Sequence, residues 1–233
     1  MSALCVIPAR GGSKRIPRKN IKEFCGKPMI AYSIEAAKKT GIFDHVVVST
    51  DDEEIADVAL KYGAEVPFMR PAEISDDVSG LQSVVSHSIK AAEGYYQEVQ
   101  ENICCLLATA PFVTSDFITE SYNKLQSDGD FIIPVTSYVF PIQRAVKCFE
   151  GRLIPFSEKN MLKRSQDLEE AYHDAGQFYW GKRFAWLSDK SLWFQKVLPY
   201  IVPRTHVQDI DTFEDWDMAE LMFEALKMKD RVA

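Results

Sequence analysis

The chain has 233 residues, 46% hydrophobic and 26% charged, with a formal net charge of −7. That length suits one domain of α/β size, and the apolar share is enough for a packed core, so a largely disordered chain is excluded. An acidic chain also lacks the broad positive field that holds nucleic acid or an anionic membrane, so neither is expected as a partner.

Residues 3–7 read as a buried strand, and residues 28–40 as a helix with Pro28 in its first turn and Gly41 past its end. A second buried strand is expected at 45–49, a helix at 52–62 ending at Gly63, and a short strand at 65–69. A polar loop with Asp76, Asp77 and Gly80 follows, then a helix at 81–96. Next come a strand at 103–108, a helix at 115–126 and a strand at 131–136. This alternation, with continuous apolar strands, predicts a three-layer α/β fold: a mainly parallel sheet covered by helices on both faces. The pattern breaks after Pro141. Residues 142–175 hold two strand-like pieces, 146–149 and 153–155, and a charged stretch at 157–170. Strands are expected again at 177–180 and 200–203, and a helix from about 211 to 229. The whole of 1–233 reads as a single domain, with 142–175 as an irregular lobe or arm.

The N-terminus turns basic after a five-residue apolar run, the wrong order for a signal peptide, and no apolar stretch nears the roughly 20 residues that cross a bilayer. A cytoplasmic location is expected. The five cysteines, Cys5, Cys25, Cys104, Cys105 and Cys148, contain no CxxC pair and read as buried thiols. The four histidines show no zinc spacing.

Five of the thirteen residues in 8–20 are basic in a chain that is otherwise acidic. They follow the first strand, and ligands of open parallel sheets bind at the carboxyl ends of strands. Gly11-Gly12 lets backbone N–H groups approach an anion, Ser13 adds a hydroxyl, and Arg10, Lys14 and Lys19 add charge. The loop matches neither GxxxxGK[ST] nor GxGxxG. A solvated basic turn is the alternative, and the clustering of cations favours phosphate binding over it. The second constellation is Asp209-Ile210-Asp211. In extended chain both carboxylates share one face, which suits a Mg²⁺ ion held by one or two carboxylates and substrate phosphates. Asp211 is alternatively a helix N-cap, with Glu214 completing a capping-box pattern. Phosphate loop and paired aspartates together imply nucleotidyl transfer.

The loop Pro8-Ala9-Arg10-Gly11-Gly12-Ser13-Lys14 with Lys19-Asn20 resembles the signature of CMP-sugar synthetases, the cytidylyltransferases that activate sialic-acid-like sugars. Arg70-Pro71-Ala72-Glu73, Thr109-Ala110-Pro111 and Asp209-Ile210-Asp211-Thr212 match further landmarks of that family, in order, across essentially the whole chain. The resemblance implies a nucleotide-diphospho-sugar transferase (Rossmann-like) fold and a reaction of CTP with an acidic nine-carbon sugar. The product would serve bacterial surface glycans, flagellin among them. The resemblance implies that Ala9, Arg10, Gly11, Gly12, Ser13, Lys14, Asn20, Arg70, Asp77 and Thr109 contact CTP. Arg10 and Lys19 act on the phosphates, and Asp209 and Asp211 carry Mg²⁺.

Within the family, Arg164-Ser165-Gln166-Asp167-Leu168 and Tyr172-His173-Asp174-Ala175-Gly176-Gln177-Phe178-Tyr179-Trp180-Gly181 are most similar to the branch acting on pseudaminic acid. Sialic acid synthetases have an arginine and Pro-Asn-Gly at 173–176, Gln-Pro-Thr at 108–110, and a lysine near Gln143. Those losses of polar contacts argue against sialic acid itself. Gln143, Arg164, His173, Gln177 and Tyr179 are the candidate sugar contacts. Family likeness further implies a homodimer, in which 142–175 and Leu192-Trp193-Phe194 complete a neighbour's sugar pocket. Alternatives are the same reaction on sialic, legionaminic or 3-deoxy-octulosonic acid, or a non-catalytic nucleotide-binding protein.

Overall fold

The computed structural model describes residues 2–76 and 79–232. Strand β1 (Ala3–Pro8) is followed by a small hairpin, β2 (Glu23–Phe24) and β3 (Lys27–Pro28). Then come α1 (Met29–Thr40), β4 (His45–Ser49), α2 (Glu53–Lys61), α3 (Leu81–Tyr96) and β5 (Asn102–Leu106). Helix α4 (Ser115–Asp128) and β6 (Phe131–Ser137) precede a second hairpin, β7 (Val146–Phe149) and β8 (Arg152–Pro155). The short α5 (Glu158–Met161) leads to β9 (Tyr172–Asp174), β10 (Phe178–Lys182) and α6 (Arg183–Trp186). Strand β11 (Val197–Ile201) and α7 (Phe213–Val232) close the chain.

The main sheet has the order β11-β6-β10-β5-β1-β4, with β9 added to β6. Strand β1 pairs in parallel with both β4 and β5, placing Val6 beside Val47 and Cys105. Strand β10 runs antiparallel between β5 and β6, and β9 is also antiparallel to β6. The sheet is therefore mixed, with its parallel members prevailing.

Strand side chains alternate between the two faces. Cys5, Ile7, Cys104 and Trp180 pack with α1, α2 and α4, while Leu4, Val6, Cys105 and Tyr179 pack with α3 and α6. Burial on both sides explains why the strands read as unbroken apolar runs. Trp180 and Trp186 are fully buried, and truncating either to Ala would cost about 3–5 kcal/mol. Gly181 lies where a Cβ would meet Phe131 and the Trp186 ring at 2.5 Å, so a side chain there has no room.

The helix ends follow local chemistry. Asp52 caps α2, accepting from the Ile55 N–H at 3.0 Å, and Thr114 caps α4 through the Phe117 N–H at 3.2 Å. Gly41 ends α1 in the left-handed conformation.

Several expectations need correction. The segment at 65–69 is not a strand. It makes one bridge, Val47 with Glu65, and Pro67 has no N–H to extend it. The last edge strand sits at 197–201 rather than 200–203. Cys5, Cys104 and Cys105 are buried as expected, but Cys25 is half-buried and Cys148 exposed on the hairpin β7–β8. Among the described residues no helix is long and apolar enough to cross a membrane.

Candidate active site

Two cavities open at the carboxyl ends of β1 and β5. The first, of about 380 Å³, is lined by Arg10, Ser13, Lys14, Arg15, Lys19 and Asn20 from the loop after β1. Arg70, Thr109, Asp76 and Asp211 complete its polar wall. The second, of about 500 Å³, is lined by His173, Asp174, Tyr179, Gln208 and Asp209. Leu107 and Thr109 line both, so the cavities adjoin just past the end of β5.

The basic loop has a built shape. Ala9 is buried and donates its N–H to the Ser49 carbonyl at 2.9 Å, continuing the β1–β4 ladder. The Gly11 N–H donates to Asp51 Oδ1 at 2.9 Å, and the Ser13 N–H donates to the Gly11 carbonyl at 3.0 Å. A Cβ on Gly11 would stand 2.6 Å from Asp52 Oδ2, so only glycine fits against that carboxylate. Gly12 has open space around it. The Asn20 amide donates to the Arg10 carbonyl at 2.9 Å and ties the two ends of the loop together. Arg18, on the outer side, is gripped by Asp52 and donates to Glu54 Oε2 at 2.5 Å. That pairing pushes the Arg18 guanidinium up and holds the Asp52 carboxyl below the usual carboxylate range.

Arg70 is buried with its Nε 3.2 Å from Ser49 Oγ and its Nη2 on the Ser49 carbonyl. Burial pushes its pKa down, with Asp51 acting against that. A fixed, desolvated guanidinium at a cleft wall is a strong recognition group for phosphate or ribose oxygens.

The chain through 207–211 has no regular structure, but Ile210 is buried against α7 and the hairpin β2–β3. Asp209 and Asp211, two residues apart, therefore point away from that core, one lining each cavity. Burial and the neighbouring Asp211 push the Asp209 carboxyl up, while Lys19 opposes them. Lys19 Nζ lies 2.5 Å from the Ile210 carbonyl and 3.4 Å from Asp211 Oδ1, and Arg15 contacts Asp211 Oδ2 at 2.9 Å. Crowded carboxylates drawing on tethered cations form a donor set that fits a divalent cation flanked by phosphates.

The expected cap is displaced by one residue. Thr212, not Asp211, caps α7. Its hydroxyl accepts from the Asp215 N–H at 3.2 Å, and Asp215 Oδ2 takes the N–H groups of Asp211 and Thr212 at 3.1 and 2.7 Å. Asp211 keeps its carboxylate for the cleft.

In the second cavity the His173 Nδ1 lies 2.9 Å from the Asp174 carbonyl. A carbonyl only accepts, so Nδ1 carries the proton, and a neutral ring offers Nε2 as an acceptor. The Tyr179 hydroxyl donates to Asp174 Oδ2 at 2.7 Å. Burial and Asp174 push the Tyr179 pKa well up, which keeps it a donor. Asp174 was not anticipated from the sequence, although it sits among residues where this chain departs from the sialic acid pattern.

Three expected sugar contacts are placed elsewhere in this chain. Gln177 is buried just before β10, with its amide donating to the His206 carbonyl and its own backbone carbonyl taking the Leu107 N–H at 2.8 Å. Gln143 donates to the Glu169 carbonyl at 2.7 Å within the arm. Arg164 is exposed at the start of a short helical turn. None of the three lines either cavity. The expectation for Asp77 falls outside the described residues.

Comparisons with known proteins bear on the chain as a whole. A family model described as cytidylyltransferase matches residues 4–192. The pseudaminic acid cytidylyltransferase of Campylobacter jejuni subsp. jejuni serotype O:2 is 47% identical over 225 residues, covering 96% of this chain and 97% of that protein. The CMP-N,N'-diacetyllegionaminic acid synthase of Legionella pneumophila is 32% identical and covers 96% and 97%. Among solved structures, a CMP:2-keto-3-deoxy-manno-octonic acid synthetase complexed with CTP aligns with a TM-score of 0.68 at 16% identity. It covers 97% of this chain and 99% of that one, and it shows the nucleotide-diphospho-sugar transferase fold.

Proposed function

Because the chain belongs to the cytidylyltransferase family, we propose that it transfers CMP from CTP to the anomeric hydroxyl of pseudaminic acid, releasing pyrophosphate. The observation that carries this reading is the meeting of a cation-lined cleft and an acceptor-lined pocket at Thr109, with one aspartate of a pair in each. The triphosphate lies in the first, its charge met by Arg10, Lys14 and Lys19, with the Gly12 N–H and the Ser13 hydroxyl as donors. Ala9 and Asn20 keep that loop in shape. Arg70 and Thr109 hold the base and ribose side. The sugar occupies the second cavity against His173 and Tyr179, so that its anomeric oxygen reaches the α-phosphate at the seam.

Asp209 and Asp211 would hold Mg²⁺, which would neutralise phosphate charge and favour ionisation of the attacking hydroxyl. Lys19, beside Asp211, stabilises charge on the departing pyrophosphate. In-line attack leaves no covalent enzyme intermediate, which is consistent with a site that offers charge and position rather than a nucleophile.

The arm at 142–175 supports a homodimer. Leu153, Phe156 and Leu162 are exposed on it, Leu162 at 94%, and Val139 and Phe140 are exposed just before it. Joined with a neighbour's surface, that arm would bring Gln143 and Arg164 to the neighbour's sugar pocket, which accounts for their distance from their own.

The test is pyrophosphate release from CTP and Mg²⁺ with pseudaminic, legionaminic, sialic and 3-deoxy-octulosonic acids, with the CMP-sugar identified by mass. Pseudaminic acid should give the highest kcat/KM. No turnover with it beside clear turnover of another sugar would overturn the assignment. Nucleotide binding without turnover on the whole panel would favour a non-catalytic binder.

A further inference from the structure

The second cavity has an unusual polarity for a pocket that receives an acid. Its anionic and imidazole groups offer acceptors, the carboxylates of Asp174 and Asp209 and the ring of His173, beside the neutral Thr109 and Tyr179 hydroxyls and the Gln208 amide. No lysine or arginine of the same chain lines it among the described residues, whereas the adjoining cleft has Arg10, Lys14, Arg15, Lys19 and Arg70. Asp174 is held at both oxygens. The Gly176 N–H donates to Oδ1 at 2.8 Å and the Tyr179 hydroxyl to Oδ2 at 2.7 Å. Each carboxylate oxygen has two lone-pair sites, so a carboxylate anchored by one donor per oxygen still has acceptor capacity.

We infer that Asp174 is the residue that selects for acylamino sugars and sets their direction in the pocket, a role that rests on the function proposed above. The carboxyl of such a sugar sits on the anomeric carbon, next to the oxygen that attacks phosphorus. It must therefore lie at the seam near Thr109, close to the cations of the cleft. The substituents farther along the sugar then fall at the other end of the pocket, where Asp174 stands. An acylamino N–H is a donor that cannot reverse its role. A fixed carboxylate accepts from it, and the same carboxylate repels a sugar that enters acid-end first. A hydroxyl in that place can turn to donate or accept, so it does not depend on the acceptor being charged or on its remaining an acceptor.

This difference supplies the test. Asp174→Asn keeps the shape and replaces one acceptor oxygen by an amide donor. The purified full-length chain is assayed with CTP and Mg²⁺ on pseudaminic acid and on 3-deoxy-octulosonic acid, which has hydroxyls only. A sugar without measurable turnover is read by its inhibition constant. The variant should raise KM for pseudaminic acid by about ten- to a hundredfold, the range for a hydrogen bond to a charged group. It should leave KM for CTP within about threefold, with Tm shifted little. The preference for the acylamino sugar should shrink about tenfold or more.

Tyr179→Phe removes one anchor while retaining the carboxylate; because Tyr179 also faces the sugar, it is read by the ratio of the two sugars, and the preference for the acylamino sugar should shrink about threefold to tenfold. It decides the matter if the first variant does not fold. An unchanged sugar preference in the folded Asp174→Asn, or equal losses for both sugars together with a large fall in Tm, would overturn the inference and leave Asp174 a structural anchor. If the parent chain ignores pseudaminic acid, it is the functional reading that fails. The same comparison is then made with legionaminic or sialic acid, which also carry acylamino groups.

Discussion

The two adjoining cavities are made in different ways. The cation-lined cleft is mostly one local piece of chain, residues 10–20, folded on itself and pinned by Asp51, Asp52 and Asn20. The acceptor-lined pocket is assembled from segments far apart in sequence, 173–179 and 207–209, brought together by β9, the reversed strand β10 and the cap of α7. A local loop carries its ligand groups in one run of sequence and so reads as a motif, even where distant residues such as Asp51 and Asp52 pin it. An assembled pocket depends on the whole sheet, and its residues can vary without disturbing the loop.

Predictions follow from that division. The largest effect should come at the seam. Asp211→Asn or Asp209→Asn should lower kcat by about 10²–10³-fold or more, while CTP binding without metal stays within a few-fold by calorimetry. A fall in metal-free binding as large as the fall in kcat would mean that the pair holds the loop rather than a metal. Arg10→Ala should raise KM for CTP by about ten- to a hundredfold and leave KM for the sugar nearly unchanged. A larger shift for the sugar would break the division between the cavities.

Gly11→Ala places a methyl 2.6 Å from Asp52 Oδ2. It should cost about 1–3 kcal/mol in chemical denaturation, with KM for CTP rising more than KM for the sugar. Thr212→Ala removes the α7 cap and should cost about 1 kcal/mol, with a modest fall in kcat because Asp215, which holds the Asp211 N–H, loses its Thr212 hydroxyl partner.

The smallest effect concerns pH. Asp52 is held below its ordinary value by Arg18, so its pairing stabilises the fold above the unfolded carboxylate pKa. That contribution is lost as pH falls through the folded value. The Tm difference between the parent and Arg18→Ala should therefore be largest near neutrality and shrink in strong acid. A difference that grows on acidification would contradict the pairing.

Much of the fold was legible because buried strands and amphipathic helices leave distinct periods. Residues 45–49 and 81–96 match their expected bounds. Strand direction left no such trace. Phe178 to Gly181 is buried on both faces, and that pattern is the same whichever way the strand runs. Residues 65–69 misled because β-branched and aromatic residues raise strand propensity, while pairing depends on Pro67 and on the loop that carries Arg70. The loop at 10–20 and the aspartates announced themselves by charge and spacing. Asp174 did not, since its significance comes from Gly176, Tyr179 and the surrounding lack of cations, which only the folded chain assembles. Gln177 looked like a contact by its place in a matched run, and its partner, the His206 carbonyl, lies far along the chain.

The reversal of β10 has one further consequence. In a purely parallel sheet, each strand would deliver its last residues to the working edge. Here β10 delivers its first, so the turn at 174–177 arrives at the site before the strand begins, with β9 hydrogen-bonded to β6 on its other side. The stretch from 172 to 177 is thus framed at both ends by sheet pairing yet contributes little to the sheet's interior. On the proposed function, a change of sugar preference would need only a handful of substitutions in that stretch, with the loop at 10–20 left as it stands.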